Sequence, residues 1–132
     1  MAPAERAAAW VRFAEEDLQM AGMALEEGIW NQVCFHSQQA VEKLLKAFLE
    51  AAGERVPKLH SLAELGLRCQ SQDAAFAAIH DDCFLLDRFY IPTRYPSAVV
   101  GSLADGMPNE SDANEALLTA RTVRRFVGAR LR

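Results

Sequence analysis

Apolar residues recur along this chain at intervals of three and four, the period of helices buried on one side. Val11, Ala14, Leu18, Ala21 and Leu25 form the first such stripe and predict a helix over 4–26. Trp10 and Phe13 widen that stripe, so the helix is expected to bury a broad face. Pro3 suits a first helical turn, where a missing N–H is harmless, and Gly28 breaks the run. A second helix is predicted over 30–52, with Cys34, Val41, Leu45, Phe48 and Ala52 on its apolar face. Gln32, His36, Gln39, Lys43, Lys46 and Glu50 fall on the opposite side, which the pattern reads as the wet face. Gly53 ends this helix, and Pro57 keeps the following residues extended.

Ser61 and Glu64 have the spacing of a capping box, so a short third helix should carry Leu62 and Leu65 inward. A fourth helix is expected from near Asp73, with Phe76, Ile79, Cys83, Leu86 and Tyr90 as its seam and Pro92 as its stop. About twenty residues rich in proline and glycine follow, a length that marks a functional or mobile loop. Asp112 and Glu115 are read as the cap of a last helix, on which Ala116, Ala120, Val123, Val127 and Leu131 face inward. No stretch has the alternation of a strand. The pattern therefore predicts one all-α domain over the 132 residues: an antiparallel up-and-down four-helix bundle with one short extra helix.

Composition narrows the chemistry. A 51% hydrophobic, 24% charged chain can bury its own core without disulfide or metal. The net charge of -4 gives no overall attraction to nucleic acid, so any such contact needs a local patch. Cys34, Cys69 and Cys83 are odd in number and widely spaced, which argues against disulfides and zinc and suits a reducing cytoplasm. No apolar run approaches the ~20 residues of a membrane span, and the first residues lack the pattern of a secretory signal. Phosphate-cradling glycine loops, G-x-S-x-G and H-E-x-x-H are missing. His36, His60 and His80 have no paired-ligand spacing, so neither a metal nor a cofactor is expected.

Polar residues that interrupt the apolar stripes are the candidates for function. Asp17 lies among Trp10, Phe13, Met20, Ala21 and Ala24, where a carboxylate must find a partner. Gln38 and Glu42 stand four apart at the margin of the second helix's apolar face, either lining a polar cleft or bonding at the edge of the core. Lys46, four residues on from Glu42, is read as turned to solvent. Arg94 and Tyr95 sit between Pro92 and Pro96; a stiffened Arg can grip a phosphate or tie the loop to Asp17 or Glu42. His60, just ahead of a helix cap, is read as a packed staple. The arginines near the C-terminal end are read as a solvated face favoured by the helix dipole.

Taken together, several segments resemble the HEPN domain family (higher eukaryotes and prokaryotes nucleotide-binding). They are Trp10 with Ala14 and Asp17-Leu18, Cys34-Phe35, Gln38 to Lys43, Lys46-Ala47, His60-Ser61-Leu62 and Tyr90 to Pro96. The resemblance implies a helical bundle, commonly a homodimer, with a cleft for nucleotides formed here by Arg94, Tyr95, Gln38, Glu42 and Asp17. It also implies a minimal nucleotidyltransferase as partner, sometimes as a toxin–antitoxin pair. Other members are metal-independent ribonucleases that use an arginine and a histidine a few residues later. No histidine follows His80 in this chain, so neither Arg88 nor Arg94 has one downstream. Nucleotide or partner binding is therefore the preferred expectation, with a metal-independent ribonuclease and a purely structural dimeric bundle as alternatives.

Overall fold

A two-residue link joins the two longest helices, and Gly28 makes the turn possible. Its φ of 73° is left-handed, where a side chain would be strained, and its N–H closes the end of the preceding helix. The computed structural model describes residues 1–90 and 107–131. Within them α1 spans Pro3–Glu27, α2 Trp30–Ala51, α3 Leu62–Gln72, α4 His80–Asp87 and α5 Glu110–Gly128, with a 3-10 turn at Ala74–Ile79 between α3 and α4. No strand occurs among the described residues, and none of their helices is long and apolar enough to cross a membrane. The all-α bundle read from periodicity is the observed architecture.

α2 is the axis of the bundle. α1 lies along it in antiparallel fashion, α5 covers a second side, and α3 with α4 closes a third. Ala7, Ala14 and Ala21 recur every seven residues on α1 and are buried, as are Ala40 and Ala47 on α2. Such small side chains let two helix backbones approach closely. The α5 seam of Ala116, Ala120, Val123 and Val127 is buried as the pattern predicts. Phe76 joins three elements: its ring lies 4.4 Å from that of Phe48 on α2 and 5.0 Å, edge-on, from that of Phe126 on α5.

Four sequence expectations need correction. No residue of α2 from Trp30 to Glu50 is exposed, so its polar side is half-covered rather than fully wet: Lys46 is buried, and Gln32, His36, Gln39, Lys43 and Glu50 are partly so. Phe13, expected to be buried, is 46% exposed beside Met20 and Met23, because the α1–α2 contact follows the alanines instead. The last helix begins three residues early, with Asn109 as the cap residue and Asp112 closing the capping box. The segment after Asp73 opens as a 3-10 turn, whose three-residue period stacks Phe76 and Ile79 on one side before α4 starts.

The start of α3 is held from a distance. Ser61 Oγ accepts the N–H of Glu64 at 3.2 Å, as expected for the cap. The amides of Leu62 and Ala63 donate instead to the carboxylate of Asp87, at 2.7 and 3.1 Å. An anion at a helix N-terminus satisfies orphan donors and meets the positive end of the dipole. These bonds tie the start of α3, which His60 precedes by two residues, to the last turn of α4.

Candidate functional site

Two carboxylates with the same arrangement of partners lie on the α1–α2 hairpin. Asp17, on α1, places Oδ1 2.8 Å from His36 Nδ1, and its Oδ2 accepts from Lys43 Nζ. Glu42, on α2, places Oε1 3.2 Å from His60 Nδ1, and its Oε2 accepts from Lys46 Nζ at 3.0 Å. Each carboxylate thus sits between an imidazole and an ammonium. The spacing explains how α2 supplies most of both sets, all but Asp17 of α1 and His60 of the link before α3. His36 and Lys43 are seven residues apart, two turns along one face, and Glu42 and Lys46 are one turn apart.

The Glu42–Lys46 pair is the more secluded. Its side chains are 8% and 9% exposed, and Lys46 Nζ also lies 5.6 Å from the ring centre of Trp10. The expectation that Lys46 turns to solvent is overturned: the side chain is buried, with Trp10 of α1 over its ammonium. Gln38 is fully buried; it donates to the carbonyl of His60 at 3.4 Å and accepts from Gln39 at 2.8 Å. So Gln38 and Glu42 converge on His60, one on its backbone and one on its ring.

His60 is the opposite of a packed staple. Its side chain is 58% exposed, and its ring stacks on that of Tyr90, with centroids 5.7 Å apart and planes 26° apart. Tyr90 stands four residues before Arg94 in the chain. Arg94 and Tyr95 themselves lie outside the described residues. Of the five candidates read from sequence, Asp17, Gln38 and Glu42 are thus brought to one hairpin and given specific partners. Sequence reasoning passes over His36, Lys43 and Lys46 because they fall on the supposed wet face. The usable signal is Asp17 itself, which needs a cation and has two basic residues spaced to meet it.

The arrangement orients imidazoles. A carboxylate that accepts from Nδ1–H fixes the ring and selects the tautomer with Nε2 as acceptor. It also holds two ammonium groups close to helix backbone without leaving either charge unpaired. The cysteines take no part. Burial above all, with the nearby charge of Asp112, pushes the Cys34 thiol up to about 12 against the opposing pull of Arg88. Burial likewise pushes Cys69 and Cys83 up to about 12, so none of the three is a thiolate near neutral pH. Among the described residues no three His, Cys, Asp or Glu side chains gather as a metal would require.

Comparison with known proteins places this hairpin in context. Residues 7–130 match the model of the HEPN domain. The crystal structure of TT1696 from Thermus thermophilus superposes with a TM-score of 0.82 at 34% identity, over 94% of this chain and 97% of that one. The crystal structure of ST0689, an archaeal HEPN homologue, gives a TM-score of 0.76 at 30% identity, over 96% and 98% of the two chains. No curated protein matches the chain. With the match running from the first turns of α1 to the end of α5, the chain belongs to the HEPN domain family.

Proposed function

We propose that this protein is a binding module for a nucleotidyl ligand, seated over the His60–Tyr90 ring pair. The observation that carries the reading is that stack, an exposed His60 ring on a half-buried Tyr90 ring, with His60 held from below by Gln38 and Glu42. A base can extend the stack, since every base offers a π-face. Lys43, on the same hairpin, and Arg94, in the segment that follows Tyr90, supply charge for phosphate. In this reading Arg94 and Tyr95 touch the ligand, while Asp17, Gln38 and Glu42 position the groups that do. The ligand is either a free nucleotide or one carried by a protein partner, a minimal nucleotidyltransferase of the toxin–antitoxin kind. Free, buried cysteines suit a reducing cytoplasm as the place of action.

Titration with a fluorescent ATP analogue tests the reading. Saturable binding is expected, weakened about tenfold by Arg94→Ala, the effect of one lost charge-assisted hydrogen bond. His60→Ala should weaken it several-fold while the melting temperature moves little, because the ring is exposed. Equal affinity in both variants, or no saturation at millimolar ligand, would remove the proposal. One observation favours a second reading: both imidazoles are held at Nδ1 by carboxylates, as acid–base histidines are. Cleavage of RNA in the presence of a chelator, lost in His60→Ala, would replace binding with metal-independent ribonuclease activity.

A homodimer belongs to the same proposal. Phe13, Met20 and Met23 leave an exposed apolar strip on α1, 46%, 48% and 54% exposed, on the helix that carries Asp17. Light scattering at micromolar concentration should give twice the 14.6 kDa chain mass, and Met20→Glu should halve it. A monomer throughout that range would exclude the dimer.

A further inference from the structure

The far end of the hairpin from Gly28 holds a cleft of about 650 Å³ that the nucleotide reading does not use. It opens where the start of α1, the end of α2 and the end of α5 meet. Small residues create it: Ala4, Ala7 and Ala8 on α1 face Ala51 at the end of α2 and Ala52 just after it, and no large side chain fills the gap. Val11, Phe48 and Leu131 give it apolar walls. No carboxylate lines it among the described residues, whereas Arg124 and Arg130 do.

Both guanidiniums are held in place. Arg130 stacks on the Phe126 ring, 3.8 Å from its centre, and donates to the Phe126 carbonyl at 3.2 Å. Its Nε lies 3.4 Å from the Asp73 carboxylate, which steadies the group from outside the cleft. Arg124 donates through Nε to Glu15, which fixes its direction across the α1–α5 groove. Its Nη1 lies against Gly128, where a Cβ would collide with it. A glycine in the last turn of a helix is a poor helix former. Here it leaves the space in which the Arg124 guanidinium rests. Arg124 also lines the adjoining groove with Arg121 and Arg125, three guanidiniums against the single carboxylate of Glu15, so the excess positive charge extends beyond the cleft. An apolar volume of ligand size, with fixed cations at its rim, selects an organic anion with an apolar body.

We propose that this cleft binds such an anion, a medium-chain or aryl carboxylate or phosphate, with its apolar body against Phe48 and Leu131 and its head group at Arg124. Arg130, fixed on Phe126, adds the second charge. The site is separate from the His60–Tyr90 stack, so each stands or falls alone.

Calorimetric titration of the full chain with octanoate, octyl phosphate, 1-octanol and inorganic phosphate tests it. Octanoate or octyl phosphate should bind one per chain, about tenfold or more tighter than the neutral alcohol or phosphate alone. The ranking of the two anions identifies the head group. Arg124→Met should weaken the preferred anion about tenfold, and binding of the ATP analogue should stay as it was. Gly128→Ala should also weaken it, by displacing Arg124, while the melting temperature holds or rises. Equal binding of octanol, unchanged affinity in Arg124→Met, or no saturable anion binding overturns the proposal. So does an Ala8→Glu variant that turns a dimer into a monomer, since a second copy would then fill the cleft.

Discussion

Replacing Glu42 with alanine should lower the unfolding free energy by about 3–5 kcal/mol, because it leaves a buried ammonium without its partner. Lys46 is 7% exposed overall, and its Nζ has only Glu42 and the face of Trp10 beside it among the described residues. A cation–π contact offsets little of the desolvation when the carboxylate is gone. For a chain of this size the melting temperature should fall by roughly 10–20 °C. The double replacement Glu42→Leu with Lys46→Met should recover most of that loss, since a buried pair exchanged for apolar residues of similar volume is often neutral. His60 would then lose its ring partner but remain solvated, so its contribution to stability is small. Urea titrations of the three proteins decide the matter. A Glu42→Ala loss below about 1 kcal/mol would mean that the Lys46 ammonium reaches water, and that the pair is an ordinary surface bridge.

Phe76→Ala should cost about 3–5 kcal/mol through the cavity left between α2 and α5. Phe76 is 1% exposed and its ring touches those of Phe48 and Phe126, so one truncation removes both aromatic contacts at once. Phe76→Leu should recover most of the loss, leaving a deficit on the order of 1.5 kcal/mol. The slope of unfolding against urea should stay unchanged, showing that the same surface is still buried. Binding of the ATP analogue should persist in folded Phe76→Ala protein, because this ring packs on Phe48 and Phe126 and does not support the His60–Tyr90 stack. A loss under about 1.5 kcal/mol would show that the surrounding rings collapse into the space.

Local patterning carried a large part of the fold. The stripes of Val11 to Leu25 and of Ala116 to Val127 follow the 3.6-residue period that burial imposes on one face of a helix, and both are the faces observed. Gly28 and Gly53 mark left-handed turns because a residue without Cβ is the economical occupant there. Ser61 caps α3 because its hydroxyl reaches an amide three residues on. Each of these depends on residues within a turn or two. The polar anomalies Asp17, Gln38 and Glu42 are legible on the same basis, as side chains in apolar surroundings that need partners.

Apart from the one-turn pair of Glu42 with Lys46 and the neighbouring Gln38 and Gln39, the partners were decided by tertiary structure. Asp17 meets His36 and Lys43 across 19 and 26 positions of chain, and Glu42 meets His60 across 18. Periodicity marks a helix face as polar but does not distinguish water from another helix as its neighbour. Hence the pattern makes Lys46 solvated although it is buried beside Trp10 of α1, and makes His60 packed although its ring stands in the open beside Tyr90. The same limit hides the role of Asp87, whose carboxylate serves amides 24 and 25 positions away. It also hides the cleft at Gly128, which exists only where three helix ends with small side chains converge. Helix identity follows from interactions one turn long; which polar groups meet follows from how α1, α3 and α5 close around α2, and only the assembled bundle fixes that.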